Sequence, residues 1–153
     1  TLASEFILRF LSNNPIRKPD AKEEYQVQPL DKQTKLMLLG LAFTSVTIFI
    51  YDDMVSVVAY SPLTVMLSHR DKMAKFLTLA NYNIYYGQFR MNYETGRVSC
   101  RSYQIVEEVV PGPREISVLL AMPVDYMGSY GDGIAQISVS GADPDAAYQA
   151  TLD

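Results

Sequence analysis

Two residues of types that often perform chemistry occur once each in this chain, His69 and Cys100. His69 has charged neighbours at the start of a predicted helix, where we expect a solvated polar residue and not a general base. Cys100 occupies an inward position of a predicted strand, and a buried free cysteine usually behaves as a small hydrophobic residue. A nucleophilic cysteine needs an activating partner, and no histidine adjoins Cys100 in the sequence. The sequence therefore predicts a protein that is not an enzyme and has no catalytic residues.

Two short patterns superficially resemble ligand sites. Asp52 and Asp53 form an acidic pair, but Asp is first a turn former, and a metal site would need further ligands from elsewhere. The run GSYGDG at 128–133 suggests a phosphate loop, which joins a strand to a helix N-terminus and usually carries a lysine. No Lys or Arg follows this run. We therefore predict neither a metal site nor a cofactor.

Residues 88–105 alternate between apolar and polar types on both sides of a turn that ends in a glycine. This period of two predicts a β-hairpin, and either Tyr93 or Asn92 can pair with Arg97. The second register places Met91 opposite Val98, so it gathers the apolar residues on one face, and burial favours it. The inward face of the hairpin then comprises Phe89, Met91, Val98 and Cys100. We expect this face to pack beneath the preceding helix, against Phe76, Leu77 and Ile84.

The same register gathers three arginines on the opposite face of the hairpin: Arg90, Arg97 and Arg101. On that face the residues between them are neutral and polar, namely Gln88, Asn92 and Ser99, and none is acidic. Arginine forks suit carboxylates and phosphates, and arginine is enriched where proteins bind each other most tightly. The alternative is a solvated sheet face whose charges discourage aggregation at the edge. The trio is our candidate binding site for a partner with an acidic surface.

A cluster of tyrosines, Tyr82, Tyr85 and Tyr86, ends the helix before this hairpin. Tyrosines that stack on nucleic-acid bases are usually interleaved with basic residues. The basic residues of this helix lie at its other end, so core packing or contact with a partner protein is favoured. A net charge of −4 also argues against a general nucleic-acid binder.

The N-terminal third of the chain has a mixed pattern. Residues 2–12 predict a helix, residues 15–31 form a polar, proline-punctuated loop or arm, and residues 34–42 fit either a helical turn or an early strand. Strands are predicted at about 44–51 and 54–60. The apolar run 36–51 has 16 uncharged residues, fewer than the 18 or so that a membrane span requires. We therefore expect no membrane span.

Helices are predicted in the remainder of the chain. Ser68 and Asp71 resemble a capping box at the start of a helix that Gly87 ends. A last helical region begins near Ile116, and Pro123 is expected to kink or restart it. Asp143 is then a predicted N-cap, with proline at the first position of a short terminal helix.

These elements fit one domain over residues 1–153, since this length is typical of a single domain with a sizeable core. The hydrophobic share of 48% indicates a globular protein. A single cysteine excludes an internal disulfide and suits a reducing compartment, the cytoplasm or another such as a plastid stroma. We expect a soluble protein.

The segment from about 73 to 149 resembles the YbjN-domain family of bacterial sensory transduction regulators, and most closely a branch found in cyanobacteria. The stretches that resemble family motifs, in family order, are FLTLANY, GQFRMNYETGRVSCR, MPVDYM and SGADPDAA. Three features depart from the family pattern: Asn92 replaces an Asp, Cys100 replaces an aromatic residue, and glycines are more frequent at 128–133.

The resemblance implies the fold of type III secretion chaperones, in which helices pack on one face of an antiparallel sheet in the order α-β-β-β-α-β-β-α. It also implies a protein that binds other proteins, often as a dimer, and catalyses nothing. We therefore expect a noncatalytic protein-binding module: a chaperone, an adaptor or a subunit of a larger assembly, as a homodimer or a heteromeric complex. The alternative is a small-molecule or anion sensor that uses a cleft between the sheet and the helices.

Overall fold

A computed structural model of the chain describes residues 23–26, 45–106 and 111–153. They form an α+β fold in which helices pack against an antiparallel sheet. The strands are β1 (Glu23–Gln26), β2 (Ser45–Ile50), β3 (Met54–Thr64), β4 (Gln88–Asn92) and β5 (Arg97–Ile105). A 3-10 turn (Leu67–His69) precedes α1 (Arg70–Asn83), and α2 (Pro113–Ser140) and α3 (Pro144–Leu152) end the chain. The spatial order is β1-β2-β3-β5-β4, and every neighbouring pair is antiparallel. The predicted fold class is confirmed.

Several predictions for the N-terminal third lie outside the described residues. These are the helix at 2–12, the ambiguous segment 34–42 and most of the arm at 15–31. Strand β1 lies within the range of that arm and pairs with β2. The strands predicted at 44–51 and 54–60 correspond to β2 and β3, and β3 continues past an irregularity in its pairing to Thr64.

The core lies between one face of the sheet and the helices. Side chains point alternately to the two faces along each central strand, so that one set from each strand points inward. On β3 this set includes Val57 and Ala59, which are fully buried. They belong to one hydrophobic cluster with Phe76 of α1 and Ile134 of α2. Sheet and helices therefore share a single core.

Helix α1 buries the stripe that its apolar spacing predicts: Met73, Phe76, Leu77 and Ala80. Its predicted capping box is wrong. His69 occupies the N-cap position, and no side chain caps the helix there. The carboxylate of Asp71 instead accepts a hydrogen bond from the Tyr93 hydroxyl, so it is engaged with the hairpin turn.

The hairpin has the register that burial favours. Asn92 pairs with Arg97, Met91 with Val98, and Phe89 with Cys100. The turn closes because Asn92 Oδ1 accepts two backbone N–H groups and Gly96 takes a φ of 76°. Phe89, Val98 and Cys100 are buried as predicted, whereas Met91 is only half-buried at the edge of the core.

Arg70 fixes the hairpin turn to the start of α1. Its Nη1 donates to the carbonyls of Tyr93 and Glu94 at 2.7 and 2.9 Å, and its Nε donates to the carbonyl of Val65 at 3.2 Å. A Cβ at Gly96 would lie 2.2 Å from that same Val65 oxygen. Charge-assisted bonds from one guanidinium thus orient the sheet edge relative to the helix.

Helix α2 runs unbroken through Pro123, so the predicted restart at this proline does not occur. Proline has no N–H for the carbonyl four residues earlier, which here belongs to Leu119. Ser102 of β5 donates its hydroxyl to that carbonyl at 2.5 Å. The sheet therefore supplies the hydrogen bond that the proline removes.

The glycines of α2 weaken it on propensity alone, but one of them enables close helix packing. A Cβ at Gly133 would lie 2.4 Å from Cζ of the buried Phe76.

Helix α3 begins as predicted: the Asp143 carboxylate accepts from the N–H of Ala146 at 2.9 Å, and Pro144 follows it. The predicted N-cap and the proline in the first turn of α3 are both confirmed.

Candidate protein-binding face of the hairpin

The two residues most suited to chemistry lie in different surroundings. His69 is half-buried beside the C-terminus of α2, with Nδ1 3.3 Å from the Ser138 carbonyl oxygen. This contact differs from the solvated position that its charged neighbours predicted. Cys100 is fully buried in the sheet, and burial raises the pKa of its thiol to about 12. A thiol in that state is a packing group and not a nucleophile.

Cys100 should therefore resist modification while the protein is folded. With a pKa near 12, the thiolate fraction at pH 8 is on the order of 10⁻⁴. We expect the native protein to react with Ellman's reagent at least about a hundredfold more slowly than the protein unfolded in urea. Rapid reaction of the native protein would show that Cys100 is accessible, and it would reopen the search for a nucleophile.

The three predicted site residues lie on one face of the sheet, as the hairpin register requires. Arg97 is exposed, and its guanidinium carbon lies 4.0 Å from the centre of the Tyr60 ring on β3. Arg101 lies 5.4 Å from the centre of the Tyr103 ring, and its Nη2 donates to Gln88 at 3.4 Å. Stacking on aromatic rings holds both guanidinium groups in place and leaves most of their N–H groups unused.

Arg90 lies between the other two arginines in the register, opposite Ser99. It is half-buried, and burial lowers the pKa of its guanidinium, with the charge of Arg101 acting in the same direction. The face is not uniformly open, since Val58 and Ser99 are buried on it. A negative group bound beside Arg90 would offset both the desolvation of its guanidinium and the repulsion from Arg101.

Among the residues that the structure describes, no Asp or Glu forms a salt bridge with Arg90, Arg97 or Arg101. The one salt bridge among the described residues joins Lys75 of α1 to Asp145 of α3, at 2.5 Å. Arg101 Nε is buried and has no hydrogen-bond partner among the described residues. Buried donors to charged groups are costly to leave unpaired. Since Nε is enclosed, an incoming acidic group would pair with the Nη groups of this guanidinium.

The tyrosines at the end of α1 do not join the core. Tyr82, Tyr85 and Tyr86 are exposed by 90%, 87% and 72%. Core packing was one of the two expectations for these residues, and it is wrong. The spacing could not decide this, because Tyr82 lies outside the apolar stripe of α1, and the helix ends at Asn83, before Tyr85 and Tyr86. Exposed aromatic residues in a group are typical of interaction sites.

A groove connects the tyrosine cluster to the arginine face. It has a volume of about 510 Å³. Its described lining comprises Asn81, Tyr85, Tyr86, Gly87, Gln88, Arg101 and Tyr103. No acidic residue is in this set, and the tyrosine hydroxyls and the guanidinium can all donate hydrogen bonds. Sequence reasoning missed the groove because its walls come from the end of α1 and from β5, and the periodicity of each element does not show how the two meet.

Asn81 closes part of the sheet edge next to this groove. Its Oδ1 accepts from the N–H of Phe89 at 2.7 Å, and its Nδ2 donates to the Phe89 carbonyl at 3.0 Å. These are the backbone groups with which β4 would pair an additional strand. A ligand in the groove must therefore be held by side chains at this position, and not by strand addition.

Within residues 23–26, 45–106 and 111–153, no group of three His, Cys, Asp or Glu side chains could hold a metal ion. Over the same ranges, no helix combines the length and the apolar character needed to cross a membrane. Comparison of the chain with family models, curated proteins and solved structures gives no match. The resemblance to YbjN-domain proteins stays a prediction.

Proposed function

We propose that this chain is a noncatalytic protein-binding module, a chaperone, an adaptor or a subunit of a larger assembly, whose arginine face binds an acidic surface of its partner. The observation that supports the proposal is the unsatisfied positive charge of this face. Arg90, Arg97 and Arg101 lie together on one face with no carboxylate partner among the described residues. In a protein of net charge −4, such a local excess indicates recognition of negative charge.

The geometry favours a protein surface over a free small anion as the ligand. Arg97 and Arg101 lie on the same strand, β5, at opposite ends of its register with β4, so the arginines span the length of the hairpin. Each is held by its own aromatic ring, so the donors are preorganised over an extended area. Several carboxylates at matching separations can use all of these donors, whereas one small anion reaches only some of them.

Replacement of all three arginines by serine should weaken the complex without unfolding the protein. We expect the affinity for the partner, identified from affinity purification and then produced recombinantly, to fall at least about tenfold at low salt. The dependence of the affinity on ionic strength should flatten, because fewer charges are screened. Calorimetric titrations at two salt concentrations measure both effects.

A matched control separates this face from the charge of the whole molecule. The triple variant Lys72→Ser, Lys75→Ser, Arg114→Ser removes the same charge from exposed helical positions. We expect it to bind nearly as well as the original protein. Equal losses in both triple variants would show that general charge, and not the arginine face, attracts the partner.

The anion-sensor alternative and the assembly state have their own tests. Binding of phosphate or a small dicarboxylate at micromolar concentration, lost in the Arg101→Gln variant, would favour the sensor. Native mass measurement distinguishes a monomer, the homodimer that the YbjN resemblance suggests, and a heteromeric complex.

We further propose that the protein acts in a soluble, reducing compartment, which a single buried thiol suits.

A further inference from the structure

The groove between α1 and β5 has two chemical properties on adjoining walls. One wall is aromatic, formed by Tyr85, Tyr86 and Tyr103, all of which are exposed. The other contributes Arg101, whose guanidinium makes one hydrogen bond among the described residues, from Nη2 to Gln88. An aromatic wall holds a flat apolar group, and a guanidinium next to it holds a carboxylate.

From this pairing we infer that the groove is the anchor site for an acidic linear segment of a partner protein that carries an aromatic side chain. The ring lies among the tyrosines, and a neighbouring carboxylate of the segment accepts hydrogen bonds from Arg101. This inference rests on the proposed function, because it assigns the anchor of the same protein contact. It goes further in naming the class of segment and the place where it binds.

Charge and shape both favour this occupant. The described lining contains no acidic residue and contains one arginine, so a negative group is attracted and a basic segment is not. A volume of about 510 Å³ is in the range of sites that take one or two large side chains. Asn81 occupies the backbone groups of Phe89, so the segment is held by its side chains and not as an extra strand.

The test uses a defined peptide and not an unknown partner. The probe is a fluorescein-labelled peptide with one central phenylalanine flanked on both sides by glutamates. We expect a Kd on the order of 10–100 μM at low salt, measured by fluorescence anisotropy. Versions with alanine for the phenylalanine, or with glutamines for the glutamates, should each bind at least about fivefold more weakly, because each lacks one of the two contacts.

The chain provides a matched pair of tyrosines as protein variants. Tyr85 lines the groove, whereas Tyr82 lies close to it in sequence, is equally exposed and is not in the described lining. Tyr85→Ser should weaken the probe at least about fivefold, and Tyr82→Ser should change its affinity less than twofold. Arg101→Gln should weaken the acidic probe and leave the glutamine version unaffected.

Each result bears on the inference. It is overturned if the probe does not bind, if Tyr82→Ser and Tyr85→Ser behave alike, or if an oligothymidine competes more strongly than the unlabelled peptide. The last outcome would identify a single-stranded nucleic-acid site. Any one of these three outcomes could occur while the variant with Arg90, Arg97 and Arg101 replaced by serine still loses its partner. In that case the proposed function holds and the anchor lies elsewhere on the face.

Discussion

Replacing Val98 by aspartate is expected to remove most of the stability of this protein. Val98 is fully buried on the inner face of β5, in one cluster with Phe76. An aspartate there must either bury an unpaired charge or be protonated, and both cost free energy. We expect the free energy of unfolding to fall by about 4 kcal/mol or more, a large part of the roughly 5–15 kcal/mol typical of a domain. Urea denaturation followed by circular dichroism measures this loss.

Two further aspartate variants make the experiment a test of the register. Met91 pairs with Val98 but is only half-buried, so we expect Met91→Asp to cost less than Val98→Asp. Gln88 is exposed on the opposite face, and Gln88→Asp should change the stability by no more than about 0.5 kcal/mol. Equal stability of Val98→Asp and Gln88→Asp would mean that the assigned inner face is wrong.

The hairpin was predictable because one local rule determines it. Its side chains alternate with a period of two, and a slip of one residue would exchange the apolar and polar faces. Of the two possible registers, only the one that pairs Asn92 with Arg97 keeps Met91 and Val98 on the same side. The structure has that register. The position of the three arginines followed from the same rule without knowledge of the tertiary fold.

The features that were missed depend on contacts between distant segments. The capping box at Ser68 and Asp71 was wrong because Asp71 is used by Tyr93, which lies 22 residues away. The tyrosines at the end of α1 were ambiguous because exposure depends on where the chain turns after the helix. The groove combines Tyr85 with Arg101, and no local pattern relates these two positions. Sequence periodicity describes faces of single elements, whereas these features arise where elements meet.

Pro123 is the clearest case of a tertiary contact that overrides a local rule. Proline in a helix interior costs about 3 kcal/mol or more, partly through the hydrogen bond that it removes. Here the affected carbonyl belongs to Leu119, which faces the sheet and accepts from Ser102. Both residues are buried, so water cannot replace the donor easily. The continuity of α2 therefore depends on a hydroxyl that lies on a strand.

This dependence predicts that Ser102→Ala is costly and that the cost depends on Pro123. Removal of the hydroxyl leaves the buried Leu119 carbonyl without a donor, so we expect the free energy of unfolding to fall by about 1–3 kcal/mol. In a Pro123→Ala background the backbone N–H at position 123 can bond that carbonyl, and the same serine substitution should cost less than about 1 kcal/mol. A double-mutant cycle in urea measures the difference as a coupling energy.

Ser138 provides the control for the loss of a buried hydroxyl as such. It lies on α2, is buried to a similar extent, and its Oγ has no hydrogen-bond partner among the described residues. Since replacement of an unsatisfied polar group by an apolar one is nearly neutral or stabilising, Ser138→Ala should cost nothing measurable. If Ser102→Ala is as harmless as Ser138→Ala, or if its cost is the same with and without the proline, the bond to Leu119 does not support the helix. If Ser102→Ala lowers the stability of the original protein but not that of the Pro123→Ala variant, the sheet compensates for the proline at this position.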